Sequence, residues 1–160
     1  MKKIIYILLT LTILIVSSCS GNKNIATQTT EYQLLKESID SQTFLFSPNY
    51  IIPSGEIQSK YLSPGYFITF SKEEIIVNLP YLGMTSSTNY DGRLTGYDFT
   101  SKKYIYNIKI DKNNNWLIDI QFKDYKESLE MTMKITPKGK ATVTLVSFSR
   151  QQVTFMGKIG

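Results

Sequence analysis

The 160-residue chain sets 18 Lys and Arg against 13 Asp and Glu, a formal charge of +5 at pH 7, and holds no histidine and one cysteine. The missing histidine excludes Ser-His-Asp and Cys-His catalysis and every histidine-ligated zinc, copper or non-haem iron site, and a lone cysteine excludes an internal disulfide. The positive excess is modest and spread along the chain, unlike the basic stripe of a nucleic-acid binder, so no nucleic acid is expected as a partner and no cofactor is implied.

Lys2 and Lys3 open the chain, and an apolar run from Ile4 to Val16 follows, broken only by Thr10 and Thr12. A membrane-spanning helix needs about 20 apolar residues, and this run falls short of that. A basic start, a short apolar stretch and then small residues read as a secretory signal peptide over residues 1–18. The run ends in Val16-Ser17-Ser18-Cys19, which resembles the lipobox of bacterial lipoproteins: an aliphatic residue, two small residues, then cysteine. The resemblance implies cleavage before Cys19 and a diacylglyceryl group on its thiol. The membrane is then a partner through a lipid anchor, and two acyl chains suffice for stable anchoring. The alternative is a free thiol beside an ordinary cleavage site. Ser20, not Asp, follows the cysteine, and no acidic cluster comes after it. By the sorting rules of such lipoproteins this points to the outer membrane and its periplasmic face.

Cleavage removes Lys2 and Lys3, leaving 142 residues and a formal charge of +3. That length suits one domain able to bury a core of its own without metal or disulfide. Residues 19–30 are polar, small and aperiodic, and read as a lipidated flexible tether; residues 31–160 read as a single β-rich domain. Thr30 with Gln33 fits a capping box, and Leu34, Leu35 and Ile39 give an apolar stripe, which together predict a short helix ending near Asp40.

From Thr43 onward the apolar period is two. Tyr66, Ile68 and Phe70 share one face, as do Ile75, Val77 and Leu79. Trp116, Ile118, Ile120 and Phe122 alternate with Leu117, Asp119, Gln121 and Lys123; Leu129, Met131, Met133 and Ile135 follow, then Ala141, Val143 and Leu145. Turn residues bound the runs at Asn113-Asn114-Asn115, Asp124-Tyr125-Lys126 and Pro137-Lys138-Gly139. The pattern predicts about nine short antiparallel strands with one face buried. Closing the sheet removes its edges. The expected class is therefore mostly β, an antiparallel meander curled into a soluble lipocalin-like barrel with one short N-terminal helix. Glu130 and Lys134 on an outer face argue against a membrane-spanning barrel.

Leu79-Pro80-Tyr81-Leu82-Gly83 is similar to the LPYFG-type motif of a Bacteroidota lipoprotein family known only as domain of unknown function 4251. A Gly-Tyr-Asp-Phe segment at Gly96–Phe99, a tyrosine-rich strand, a Trp-containing strand and a glycine turn at Gly139 follow in the family's order. The ending from Ser149 to Ile159 resembles the family's "NRQ-I-F-G-I" close. The match runs over roughly residues 43–160. Met84 stands where relatives usually carry Arg, and Leu82 where Phe is usual. The resemblance implies a mostly-β envelope domain and no particular activity.

Leu79, Pro80, Tyr81, Leu82, Gly83 and Arg150 are the candidate contacts for a ligand or partner. The competing reading of the motif is a structural corner: Pro80 cannot donate to a ladder and ends the strand at Leu79, and Gly83 permits a turn. Arg150 equally suits a hairpin cap or a carboxylate pair. Asp111, Asn113 and Asn115 stand at the first three ligand positions of a calcium loop, but Trp116 and Phe122 replace the required Gly and Glu, so no metal site is expected. Glu73 and Glu74 point to opposite faces of a strand and form no acid–base pair, and the sequence leans away from an enzyme. Two readings remain, the first preferred because a barrel of this strand number can enclose a ligand. One is a non-enzymatic module that holds a small apolar or glycan-like ligand in a barrel mouth lined by Tyr and Phe. The other is a structural or protein-interaction lipoprotein that contacts another envelope protein.

Overall fold

A computed structural model describes residues 23–82, 96–126 and 128–160, the side chains of residues 23–29 excepted. Cys19, Gly83 and Met84 lie outside the described residues. The chain divides into two compact units, Met1–Glu31 and Tyr32–Gly160. Among the described residues, no helix is long and apolar enough to cross a membrane.

Helix α1 spans Lys23–Asp40. It begins earlier than the Thr30 cap expected from sequence, so residues 23–30, expected to be flexible, are helical. No Gly or Pro interrupts residues 23–40, and helix therefore propagates through the polar stretch. The stripe also differs from expectation. Ile39 is buried and Leu35 packs on the core, but Leu34 is 62% exposed and Tyr32 takes its place. The helix stops in a Schellman arrangement: Gln42 adopts φ 53°, its N–H donates to the Ile39 carbonyl, and the Thr43 N–H donates to the Ser38 carbonyl.

Ten strands follow: β1 (Phe44–Pro53), β2 (Lys60–Tyr61), β3 (Phe67–Phe70), β4 (Ile75–Leu79), β5 (Tyr97–Ser101), β6 (Tyr104–Ile110), β7 (Trp116–Phe122), β8 (Leu129–Ile135), β9 (Lys140–Ser147) and β10 (Val153–Ile159). They form one antiparallel sheet in the order β5-β4-β3-β1-β10-β9-β8-β7-β6, with β2 paired to β1 beyond β3. The sheet curls into a nearly closed barrel, as the period-two pattern predicts. The alternating residues named from sequence in β4, β7, β8 and β9 are the interior ones, and Trp116, Ile118, Val143 and Phe155 are wholly buried.

Strand β1 is central because it pairs on both sides. Its register with β10 slips between Pro48 and Tyr50, a bulge that accommodates a proline unable to donate to the ladder. Gly157 lies across from the bulge, and a Cβ there would sit 2.2 Å from the Ser47 carbonyl oxygen. Turns follow the sequence chemistry. Asp111 accepts from the backbone N–H groups of Asn113 and Asn115 and from the Asn115 amide, and Asn114 takes φ 59°. The segment is thus the Asn-rich hairpin turn inferred from sequence, and Gly139 at φ 73° turns β8 into β9.

Candidate functional site

Large side chains pack at each end of the barrel. At one end the part of α1 from Tyr32 onward lies on the interior: Tyr32 stacks on Trp116 with ring centroids 5.7 Å apart, and Leu35 reaches within 3.9 Å of the position a Gly139 Cβ would take. At the other, β5 lies over the far ends of β7 and β9. Along it, Tyr97 meets Arg150, Phe99 packs edge-on against Phe122 at 5.1 Å, and Ser101 donates to Asp124.

The candidate residues taken separately from sequence come together at that second end. Pro80 ends β4 at Leu79, as expected from its missing donor. The next side chain, Tyr81, is turned inward and buried together with Leu79; Pro80 and Leu82 are half-buried. Arg150 sits in the β9–β10 connection with its guanidinium carbon 5.2 Å from the Tyr81 ring centroid and 4.9 Å from that of Tyr97. The two rings meet edge to face at 5.8 Å. The Tyr81 hydroxyl reaches the Gln151 carbonyl at 3.5 Å, and the Arg150 backbone N–H donates to the Ser147 hydroxyl. Tyr97, absent from the sequence-derived set, is the residue that joins motif to arginine. Its signal was the Gly96 before it: a Cβ at Gly96 would lie 2.1 Å from the Leu79 carbonyl oxygen, so only glycine lets β5 start against the motif.

The electrostatics of this cluster are those of a closed packing site. Burial pushes the Tyr97 hydroxyl well above the ordinary tyrosine range, and the Arg150 charge offsets part of that rise. A guanidinium facing two rings contributes about 0.5–2 kcal/mol, more as it is desolvated.

A second polar grouping closes the corner between β5 and β6. Asp124 accepts from the Ser101 hydroxyl and from the backbone N–H groups of Lys102 (2.8 Å) and Lys103 (3.0 Å). The Ser101 bond, with the two amides, holds its carboxyl below the usual carboxylate range. Elsewhere, Gln33, Lys36, Glu37, Asp40 and Ser41 line a shallow open depression on α1, where Lys36 pairs with Asp40. Among the described residues no cluster of three carboxylate or thiol groups is arranged to hold a metal.

The comparisons agree with this architecture. The sequence profile described as "Domain of unknown function (DUF4251)" matches residues 26–159. The chain is similar to the crystal structure of a DUF4251 family protein from Bacteroides eggerthii DSM 20697, with TM-score 0.61 and 17% sequence identity, covering 84% of this chain and 89% of that one. At that identity the likeness speaks to the fold. No curated protein matches the chain.

Proposed function

The chain belongs to the DUF4251 family, and from that premise we propose that it is a non-enzymatic envelope lipoprotein, lipidated on Cys19, that works by contact between its outer surface and another envelope protein. The observation that carries this reading is the set of large side chains that the barrel buries inside itself. Trp116, Tyr97, Phe46, Phe70 and Phe155 are fully buried in the interior. Tyr32 packs on Trp116 at one end, and Tyr81, Tyr97 and Arg150 pack together at the other. A ligand-holding barrel needs an open mouth and an interior not occupied by its own side chains.

The outside offers contacts. Phe148, in the β9–β10 connection beside Arg150, is 92% exposed. Among the described residues strand β6 ends the sheet; Ile105 is exposed on its outer face, and Ile108 and Ile110, in register with the interior residues Ile118 and Trp116, are exposed along the sheet edge. An unpaired edge with apolar side chains is a template for pairing with another chain. The address is that read from Ser20 and its neighbours: the outer membrane, periplasmic face.

A small apolar or glycan-like ligand is the second reading. In its favour, the Tyr106 hydroxyl, Trp116 Nε1 and Thr136 Oγ1 are buried without a hydrogen-bond partner, and buried polar groups normally have one. Photo-crosslinking from Phe148 and Ile108 in intact cells tests the preferred reading. A discrete protein adduct is expected at one of the two positions. The absence of any protein adduct at both overturns it.

A further inference from the structure

Four neighbouring strands, in the order β2-β1-β10-β9, contain no acidic residue. Their outer face instead carries Lys140 and Lys158, both exposed. Lys158 is directly opposite Lys140 in the β10–β9 register. Like charges facing each other across a ladder destabilise a sheet unless an anion lies between or above them. Among the described residues neither lysine forms an ion pair; the salt bridges engage Lys36, Lys102, Lys109 and Lys134. The nearest carboxylates in sequence and register are peripheral: Glu56 in the connection before β2, and Glu130 on β8 opposite Val146.

The same face is apolar in its middle. Tyr61 is opposite Tyr50, the two rings meeting edge to face at 4.9 Å, and Tyr50 is opposite Met156 on its other side. Tyr61 is 82% exposed and Met156 44%, with Ile52 and Leu45 also exposed nearby on β1. Thr142, Thr144 and Thr154 fill the remaining outward positions named by the register. A row of tyrosine and aliphatic side chains bordered at one end by two lysines, with no carboxylate, is the composition that settles at the headgroup level of a bilayer. The lysines find lipid phosphates there and the rings sit at the acyl boundary.

We propose that the outer face of β2, β1, β10 and β9 lies against an anionic phospholipid surface, so that the barrel rests on the membrane on one side and presents its other side to partners. The proposal deepens the reading above and rests on its lipid anchor only to bring the face close to the bilayer. Charge selects the occupant: an acid-free cationic face fits anionic lipid and repels a second copy of itself.

The test is hydroxyl-radical footprinting of the full chain reconstituted in vesicles of phosphatidylcholine, and in vesicles with about one-third phosphatidylglycerol. Oxidation at Tyr61 and Met156 is read against Ile108 and Ile110 on β6. The expected result is a severalfold drop at Tyr61 and Met156 in the anionic vesicles alone. High salt, or the combined Lys140→Glu and Lys158→Glu variant, restores full oxidation. Equal oxidation in the two lipids overturns the proposal. So does protection already present in detergent, which means that copies associate through this face. Flotation with phosphatidylcholine vesicles reads the anchor separately, so loss of the anchor and loss of the face are distinguishable.

Discussion

The guanidinium of Arg150 faces the ring of Tyr97 at 4.9 Å, joining the last hairpin to the strand that follows the Leu79–Gly83 motif. Because Tyr81 faces the same guanidinium at 5.2 Å, one cation fastens three separate segments at one end of the barrel. The arrangement makes the motif and the arginine parts of a closure, and its consequences are measurable.

Arg150→Ala removes both ring contacts and the packing of the arginine stem. A loss of about 1–3 kcal/mol in unfolding free energy is expected from urea titration. Arg150→Lys keeps the charge but not the planar face, and falls between wild type and alanine. An effect near zero for Arg150→Ala would remove this arginine from the closure.

Gly157→Ala places a methyl 2.2 Å from the Ser47 carbonyl oxygen and 2.8 Å from the Pro48 Cα, both backbone atoms of the bulged strand. The two central strands must separate there, so a loss above about 3 kcal/mol, or failure to fold, is expected. Gly139→Ala has no such close contact and meets only the cost of φ 73° in a non-glycine residue, about 1–2 kcal/mol. Thermal melting of the two variants checks the ranking.

Asp124 accepts three hydrogen bonds, the Ser101 hydroxyl foremost, and its folded pKa is depressed below the unfolded value. A depressed carboxyl stabilises the fold fully above the unfolded pKa of about 3.9, and that contribution is lost as pH falls through the folded value. Wild type should therefore exceed Asp124→Asn in urea midpoint at pH 6, and the gap should narrow progressively below pH 4 as the wild-type carboxyl protonates. A gap independent of pH down to 2 contradicts the assignment.

Tyr106→Phe deletes a buried hydroxyl that has no partner. Leaving such a group buried is costly, so the variant should match wild type or exceed it by up to about 1 kcal/mol. A loss above about 1 kcal/mol would show that the hydroxyl is engaged, the outcome the second functional reading requires.

Much of the fold was legible because burial on one face of a strand leaves a period-two trace. Trp116–Phe122, Leu129–Ile135 and Ala141–Leu145 showed it, and their interior residues are those read from sequence. The helix was less legible. Thr30 resembles a cap, yet it lies inside α1, and Tyr32 rather than Leu34 meets the core, since local pattern does not reveal which side of a helix finds the barrel. Strand order was illegible for the same reason: β1 joins β3 to β10 across more than 100 residues of chain. The motif and Arg150 each stand out in the sequence, but as separate candidates. Only the long-range pairing that carries Tyr97 between them makes them one cluster.

Native mass spectrometry of the chain extracted from its membrane in mild detergent tests the central claim, a barrel that works from its outside. The expected mass is that of the chain cut before Cys19 plus its lipid, with no further stoichiometric small molecule. A bound small molecule that survives extraction at one per chain would contradict it.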